Sequence, residues 1–224
     1  MIIGLTTTVA KNSELFSKNY KVKSFSSVFT NTIADIVYTQ SGEASVKAEG
    51  AKEVVDNLKI NVRNGVLTIE NDRELNDKND KPIVVFISSP SINSIETCGI
   101  GNLCLKGKVT ADNLDIKAEG IGNVHALDLK CKKVHINYNG IGNLTLAGET
   151  DIVEINSNGI GNIDCHNLLA KTTMVKSTKT GKVGCFASES IGLFNDGIGE
   201  ISYSGNPTFK NLQNGGMGKI KEVK

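Results

Sequence analysis

Residues 139–148 read NGIGNLTLAG, and the phrase Gly-Ile-Gly-Asn inside this stretch recurs along the chain. The full phrase begins at Gly99, Gly120, Gly140 and Gly159, and variants of it begin at Lys179, Gly197 and Gly216. Successive copies are 21, 20, 19, 20, 18 and 19 residues apart. Self-similarity at a nearly fixed period of this length is the signature of a repeat architecture.

The aligned copies alternate between aliphatic and polar positions, as a β-strand with one buried face does. Four residues after each start lies an aliphatic column of Leu103, Val124, Leu144, Ile163, Val183, Ile201 and Ile220. Two residues further lies a second inward column of Leu105, Ala126, Leu146, Cys165, Cys185 and Tyr203. Another alternating segment precedes each phrase, as in Leu114/Ile116 and Val134/Ile136. Each repeat therefore contains at least two short strands.

A unit of two short strands cannot bury its apolar face alone, but stacking copies about 4.8 Å apart pairs every backbone N–H and C=O. We therefore predict an all-β fold, a single-stranded right-handed parallel β-helix (β-solenoid) with coils of about 20 residues. A leucine-rich repeat has a similar period, but its LxxLxLxxN signature is missing here.

The repeated phrase is interpreted as the corner of each coil. Glycine tolerates positive φ and close approach of a neighbouring backbone. Asparagine accepts left-handed conformations, and its amide can bond to its own copy one coil away as a ladder. These structural corner residues are Gly99, Gly101, Asn102, Gly120, Gly122, Asn123, Gly140, Gly142, Asn143, Gly159, Gly161, Asn162, Gly197, Gly199, Gly216 and Gly218.

The residue between the two corner glycines has two possible orientations. We expect this column to point into the core; it consists of Ile100, Ile121, Ile141, Ile160, Ile198 and Met217, and it is interrupted at Thr180. If alternation continues through the corner, the column instead points outward. An exposed aliphatic column would be a binding or oligomerisation stripe.

Residues 19–98 lack the phrase and are predicted to form irregular first coils and an N-terminal cap. Asn64-Gly65 predicts a type I′ hairpin turn, residues 51–58 a short helix, and residues 71–81 a solvated, charged loop. We predict one domain over 19–224, with the repeats at 99–224. Residues 1–18 are an extension or a signal remnant; the opening MIIGLTTTVA lacks a basic n-region, so an export signal is not evident.

Composition excludes several classes of function. The 25 basic and 24 acidic residues are balanced, which disfavours nucleic acid as a partner. No apolar run reaches the 18 residues or so of a membrane-spanning helix, so the chain is expected not to span a membrane. The five cysteines contain no CxxC pair and are interpreted as small buried hydrophobes rather than as disulfides or a zinc site.

The outward column between the two aliphatic ones holds the sharpest chemical candidates. It places Cys104 beside His125, followed by Thr145 and Asp164. A thiol beside an imidazole is the minimal pair for a nucleophile or a metal ligand, although an ordinary polar face is the default interpretation. Asp164 would lie two coils from His125, too far to orient it.

The remaining chemical signals are weak. His135 and His166 occur singly and are expected to need no special role. Arginine occurs only at 63 and 73, so the stacked carboxylates and arginine of a polysaccharide lyase are missing. Phosphate-binding and calcium-binding motifs are also missing, and we expect no catalytic residues, metal or cofactor.

The order of several sequence segments resembles that of the putative autotransporter adhesin head domain family, which is named for its GIN-type repeats. The resemblance covers roughly residues 20–222 and rests on the spaced GIGN phrases, the segments VKSFSSV and ADIVYTQ, the NGVLTIEN hairpin and SSPSINSIETCGIGN. It implies a right-handed β-helix at the cell envelope or outside the cell of a Bacteroidetes-like bacterium.

We therefore predict a non-enzymatic, adhesin-like surface module that presents flat faces to a glycan, lipid or protein ligand. The chain is also a possible homo-oligomer. A polysaccharide-processing enzyme and a purely structural envelope spacer are the alternatives. Clustered carboxylates on one face would favour the enzyme, whereas an exposed isoleucine column would favour adhesion or self-association.

Overall fold

The computed structural model describes residues 16–71, 83–178 and 180–223. Three features predicted from the sequence lie outside these residues: the possible signal remnant at 1–10, nearly all of the charged loop at 71–81, and the variant corner residue Lys179. The first strand begins at Phe16, slightly before the predicted domain boundary at residue 19.

Almost every element is a β-strand, and one short α-helix interrupts the series. The elements in chain order are β1 (Phe16–Tyr20), β2 (Ser27–Asn31), β3 (Ala34–Gln40), β4 (Ser45–Gly50), α1 (Lys52–Asp56), β5 (Leu58–Arg63), β6 (Val66–Asn71), β7 (Ile83–Ser89), β8 (Ser94–Thr97), β9 (Leu103–Leu105), β10 (Val109–Ala118), β11 (Val124–Tyr138), β12 (Leu144–Ser157), β13 (Ile163–Ser177), β14 (Lys182–Phe186), β15 (Ser190–Asn195), β16 (Glu200–Ser204), β17 (Phe209–Asn214) and β18 (Lys219–Glu222).

These strands wind into a β-solenoid of about 6 turns with coils of about 20 residues, which confirms the predicted fold class. The strand before each corner stacks in parallel on its counterpart in the next coil, as β8, β10 and the later part of β11 do. The strand after each corner does the same, as in β9 and the first parts of β11 and β12. We call these two stacks the pre-corner and post-corner sheets.

The order of coils in space differs from their order in the chain. Strand β2 lies between β6 and β8, and β3 lies between β7 and β9, all in parallel. The first coil of the chain is therefore inserted between the second and the third. The predicted irregular first coils are present, but they do not simply stack in sequence order.

The N-terminal end carries the predicted cap. Strand β4 pairs antiparallel with β7 and with β1, and β5 pairs antiparallel with β6. These antiparallel strands cover the edges that the parallel strands β6 and β7 would otherwise expose. Helix α1 joins β4 to β5 and buries Val54 and Val55 at this end of the core. The predicted hairpin turn is confirmed, because Asn64 and Gly65 have φ values of 52° and 76° between the paired residues Arg63 and Val66.

The core consists of stacked columns, one residue per coil. The two inward columns predicted after the corner are buried from Leu103 to Ile201 and from Leu105 to Tyr203, and Ile220 is half-buried. In the pre-corner sheet the register aligns Val28, Ile95, Ile116, Ile136, Ile155, Val175 and Leu193 in a third buried column. Buried side chains at equal positions therefore stack on one another along the axis.

Both corner glycines leave space for the preceding coil, but only the second also has a positive φ. At Gly140, a Cβ atom would lie 2.4 Å from the carbonyl oxygen of Gly120 in the preceding coil, although its φ is not in the positive range. At Gly142, φ is 144° and a Cβ would lie 2.0 Å from the carbonyl oxygen of Gly122. The second position therefore requires glycine for both conformation and space.

Replacing Gly142 with alanine should be much more damaging than an ordinary glycine substitution. The new Cβ must displace the Gly122 carbonyl from its place in the corner, and we expect a loss of about 2 kcal/mol or more in the free energy of unfolding. Denaturant titration of Gly142→Ala measures this loss. Gly42→Ala is the control, because nothing lies within 4 Å of its Cβ position. Equal stability of the two variants would contradict the assigned corner role.

Candidate functional site

The corner asparagines form the predicted ladder. The Oδ1 atom of Asn102 accepts bonds from the backbone N–H (3.0 Å) and the side-chain amide (3.1 Å) of Asn123. Asn143 repeats both bonds to Asn123, and the backbone N–H of Asn162 bonds to Oδ1 of Asn143 at 3.0 Å. We call Asn102, Asn123, Asn143 and Asn162 the asparagine ladder.

The ends of this ladder were not predicted from the sequence. At one end, Oδ1 of Asp35 accepts a hydrogen bond from the backbone N–H of Asn102. At the other end, the backbone N–H of Lys182 donates to Oδ1 of Asn162. The expectation of left-handed ladder residues was wrong: among the described residues, Asn64 is the only non-glycine with positive φ. Each ladder asparagine instead contributes its side-chain oxygen and its backbone N–H to the stacking of the coils.

The column between the corner glycines points outward, so the expectation that it belongs to the core was wrong. Between 48% and 60% of the surface of each isoleucine is exposed in a column that we call the isoleucine stripe, and Met217 at its end is 86% exposed. The stripe consists of Ile100, Ile121, Ile141, Ile160, Ile198 and Met217. Backbone bridges join the successive members from Ile100 to Ile160 and on to Thr180, so alternation does run through the corner.

The predicted outward column is present in the register. Cys104 pairs with His125, His125 with Thr145, and Thr145 with Asp164. Cys104 is half-buried, whereas His125 and Asp164 are exposed. Across the described chain, the structure shows no side-chain hydrogen bond from the Cys104 thiol or the His125 imidazole. The register thus places the thiol and the imidazole on neighbouring strands, but no hydrogen bond connects them as a nucleophile and its base.

A connected cluster lies further along the same column, around His166. Its Nδ1 lies 3.1 Å from Oδ1 of Asp164, and its Nε2 lies 3.2 Å from Oγ of Ser202. The backbone N–H of His166 also bonds to the same Asp164 oxygen at 3.2 Å. We call Asp164, His166 and Ser202 the Asp-His-Ser cluster. The expectation that His166 needs no special role missed these contacts.

The cluster depends on a glycine, Gly184, which leaves space for the His166 ring. Gly184 lies between Asp164 and Ser202 in the register, and a Cβ there would lie 2.1 Å from Cε1 of the His166 ring. The imidazole therefore lies across the glycine and reaches a strand two coils from its aspartate. A histidine two residues after an outward aspartate, with glycine in the next copy, is the sequence signal that could have revealed it.

His135 forms a related but different arrangement in the pre-corner sheet. Its Nδ1 lies 3.0 Å from Oδ1 of Asp115, and its Nε2 lies 3.2 Å from the amide nitrogen of Asn156. The position opposite the aspartate is therefore an amide rather than a hydroxyl. This histidine has an aspartate partner but no nucleophile.

Two concave regions accompany these surfaces. A shallow depression of about 460 Å³ is lined by three ladder asparagines together with His125, Leu144, Thr145 and Asp164. A groove of about 700 Å³ crosses the bend after the post-corner sheet, with Ala111, Cys131 and Ala170 among its lining residues. Ion pairs Lys132–Asp112 (2.8 Å) and Lys171–Asp151 (2.7 Å) lie along the groove, so its rim carries paired charges.

One group of potential metal ligands occurs in the described part of the chain: Glu96, Cys98 and Glu119. Burial, followed by the neighbouring carboxylates, raises the pKa of the Cys98 thiol. Lys117 Nζ already neutralises Glu96 at 3.2 Å. The two carboxylates thus flank the Cys98 thiol, and one of them is already paired with a lysine.

The geometry defines a class of protein: a glycine-cornered β-solenoid with an exposed aliphatic stripe and a polar ladder beside it. The chain belongs to the family described as putative auto-transporter adhesin, head GIN domain, whose sequence profile matches residues 24–207. The resemblance noted in the sequence is thereby confirmed. No curated protein matches the chain.

Solved structures share this fold over nearly the whole chain. A putative adhesin from Bacteroides fragilis is 34% identical with a TM-score of 0.90, over 94% of this chain and 97% of that one. A putative adhesin from Parabacteroides distasonis is 20% identical with a TM-score of 0.69, over 95% and 98%. A putative lipid binding protein from the same species is 19% identical with a TM-score of 0.66, over 95% and 98%. The last two show the fold alone.

Family membership agrees with a location at the cell surface or outside the cell. Within the residues that the structure describes, no helix has the length and apolar character needed to cross a bilayer.

The thiols should differ sharply in reactivity in the native protein. Cys98 and Cys104 are half-buried, whereas Cys165 and Cys185 lie in the core. Burial raises the pKa of both core thiols, that of Cys185 to about 12, so neither is accessible or ionised. Alkylation by iodoacetamide followed by peptide mass spectrometry should label Cys98 and Cys104 and spare Cys165 and Cys185.

The labelling of Cys98 should also depend on pH. Because its pKa is raised, its thiolate fraction is small near neutrality, and its alkylation rate should still be increasing above pH 9 or so. Unfolded protein, in which every thiol is free, is the control. Fast labelling of Cys165 or Cys185 in the folded protein would contradict the assigned burial.

Proposed function

We propose that the protein is an adhesin-like surface module that binds a partner protein through the isoleucine stripe, at the cell envelope or outside the cell. The observation that carries this proposal is the exposure of the stripe along successive coils. Contiguous exposed apolar surface on a soluble fold marks an interaction site, because each exposed side chain leaves apolar area in water.

The fold itself does not require isoleucine at these positions. Thr180 occupies the same column, pairs with Ile160 through the same backbone bridge, and is exposed. A polar side chain is therefore compatible with the corner geometry. The isoleucines therefore add apolar area to the outer surface and none to the core. A binding surface requires apolar area in that place.

The shape and chemistry of the stripe favour a protein over a lipid or a glycan. It is a row of side chains on a corner rather than a cavity, so it does not enclose a small ligand. Its flanking ladder consists of neutral amides, whereas binding to anionic membranes usually involves lysine or arginine beside the apolar residues. An apolar strip bordered by polar groups resembles the core and rim of a protein interface.

Binding should be lost when the stripe is made polar. The variant Ile121→Thr/Ile141→Thr/Ile160→Thr copies the residue already present at Thr180, so its melting temperature should remain within a few degrees of the wild type. Its retention on immobilised purified extracellular-matrix proteins should fall about tenfold or more, because the loss of even one energetically important contact of about 1.4 kcal/mol is tenfold in affinity.

The matched control carries three threonines elsewhere. Leu127, Leu169 and Met174 are 61%, 49% and 43% exposed and lie outside the stripe. Their replacement by threonine should leave retention unchanged. Unchanged retention of the stripe variant would overturn the proposed surface. Stripe-dependent capture by phosphatidylcholine vesicles or by a glycan array, in place of proteins, would overturn the class of partner.

A further inference from the structure

We propose that the Asp-His-Ser cluster is a nucleophilic site, in which Ser202 accepts an acyl group from a carboxylic ester. This goes beyond surface binding and does not depend on it, since the cluster and the isoleucine stripe share no residue. Its confirmation would overturn the expectation that the protein has no enzymatic activity.

The hydrogen bonds fix the direction of proton donation. An ionised carboxylate can only accept, so the 3.1 Å contact with Asp164 requires a proton on Nδ1 of His166. In the neutral ring Nε2 is then an acceptor, and the Ser202 hydroxyl donates to it across 3.2 Å. Nucleophile, base and orienting carboxylate are thus connected in the order that serine hydrolases use.

The strands hold the three groups in this relation. Asp164 and Ser202 lie on strands β13 and β16, which are both hydrogen-bonded to β14, so their separation is set by the sheet. Gly184 on β14 leaves the space that the imidazole occupies. A second bond from the His166 backbone N–H to Asp164 fixes the carboxylate from its own strand. The arrangement does not depend on a loop.

The surroundings define how an ester would lie. Lys221 is paired with Ser202 in the register of the last strand and so lies on the same face, and we assign its ammonium to the stabilisation of negative charge on the carbonyl oxygen. On the other side of Asp164 lies the amide-lined depression of about 460 Å³. Asparagine amides and a threonine hydroxyl suit a hydroxyl-rich alcohol. The substrate class is therefore a carboxylic ester of a polar alcohol.

The reaction balances without a cofactor. Ser202 Oγ attacks the ester carbonyl as His166 Nε2 takes the hydroxyl proton, and the carbon–oxygen bond to the alcohol breaks. The alcohol leaves with that proton, and the acyl group remains on Ser202. Water then attacks the acyl-serine with His166 again as the base, which releases the carboxylic acid and restores the hydroxyl. Asp164 acts through His166 and is a positioning residue.

A fluorophosphonate carrying biotin tests the nucleophile directly. Its phosphorus should bond to Ser202 Oγ with release of fluoride, and tryptic mass spectrometry should locate the adduct. Ser204 is the matched control, because it lies on the same strand two residues away without a histidine contact. Labelling confined to Ser202 supports the proposal. Absence of labelling in the folded protein, or equal labelling of Ser204, overturns it.

Variants of His166 separate a catalytic from a structural role. His166→Gln can still bond to both neighbours but is not a base, so its melting temperature should change little. Its rates of Ser202 labelling and of p-nitrophenyl acetate hydrolysis should fall about 100-fold, the lower range for general-base catalysis. His135→Gln, which removes the histidine paired with an amide, should leave both rates unchanged. Equal rates in wild type and His166→Gln overturn the proposal.

A second variant tests the geometry without altering the three groups. Gly184→Ala places a methyl group against the imidazole and should displace it from Ser202, so the labelling rate should fall about tenfold or more. Lys221→Gln should slow p-nitrophenyl acetate hydrolysis while the melting temperature is retained. If Gly184→Ala reacts like the wild type, the position of the ring over Gly184 is not required and the proposed site is wrong.

Discussion

Backbone hydrogen bonding across the corner is the constraint on which the rest of the solenoid depends. The N–H of Ile121 bonds to the carbonyl of Gly99 at 3.0 Å, and its carbonyl accepts from the N–H of Gly101 at 2.9 Å. Ile141 and Ile160 are held in the same way by the two glycines of the preceding coil, and Ile100 is held by Thr32 and Ala34. The bonds bring the backbones so close that any Cβ at the glycine positions would overlap a carbonyl oxygen. The repeated phrase therefore lets the backbone N–H and C=O groups of the corner form hydrogen bonds, where a turn would normally leave them exposed to water.

The orientation of the isoleucine stripe follows from this bonding. With both backbone groups of Ile121, Ile141 and Ile160 hydrogen-bonded in the plane of the corner, each side chain must lie on one side of that plane or the other. The inner side is already occupied by core side chains that brace the corner. Tyr138 donates to the carbonyl of Ile160 at 3.0 Å, and the Asn195 amide donates to the carbonyl of Gly199 at 3.0 Å. The isoleucines therefore face solvent.

The sequence was sufficient for features that repeat with the period and insufficient for those that do not. The inward columns, the ladder and the outward column of Cys104 and His125 follow from counting about 20 residues per coil, because stacked copies occupy equal positions. The insertion of β2 and β3 between later coils depends on pairing between strands that are distant in the sequence, and no local pattern encodes that pairing. His166 was missed because it lies off the repeated column and reaches across Gly184 to Ser202.

Three parallel surfaces meet at the corner, and their order along each coil explains how they can act together. In one coil, Ile121 of the stripe is followed by Asn123 of the ladder and His125 of the outward column. At about 3.3 Å per residue, these columns lie within about 13 Å of one another. The column of His125 continues to Asp164, and from there the cluster reaches Ser202. A partner seated on the apolar stripe would therefore also cover the amide ladder, and a chain extending from that partner could reach the serine. The rigidity that backbone bonding gives the corner holds the isoleucine stripe, the asparagine ladder and the Asp-His-Ser cluster at fixed spacing on one side of the solenoid.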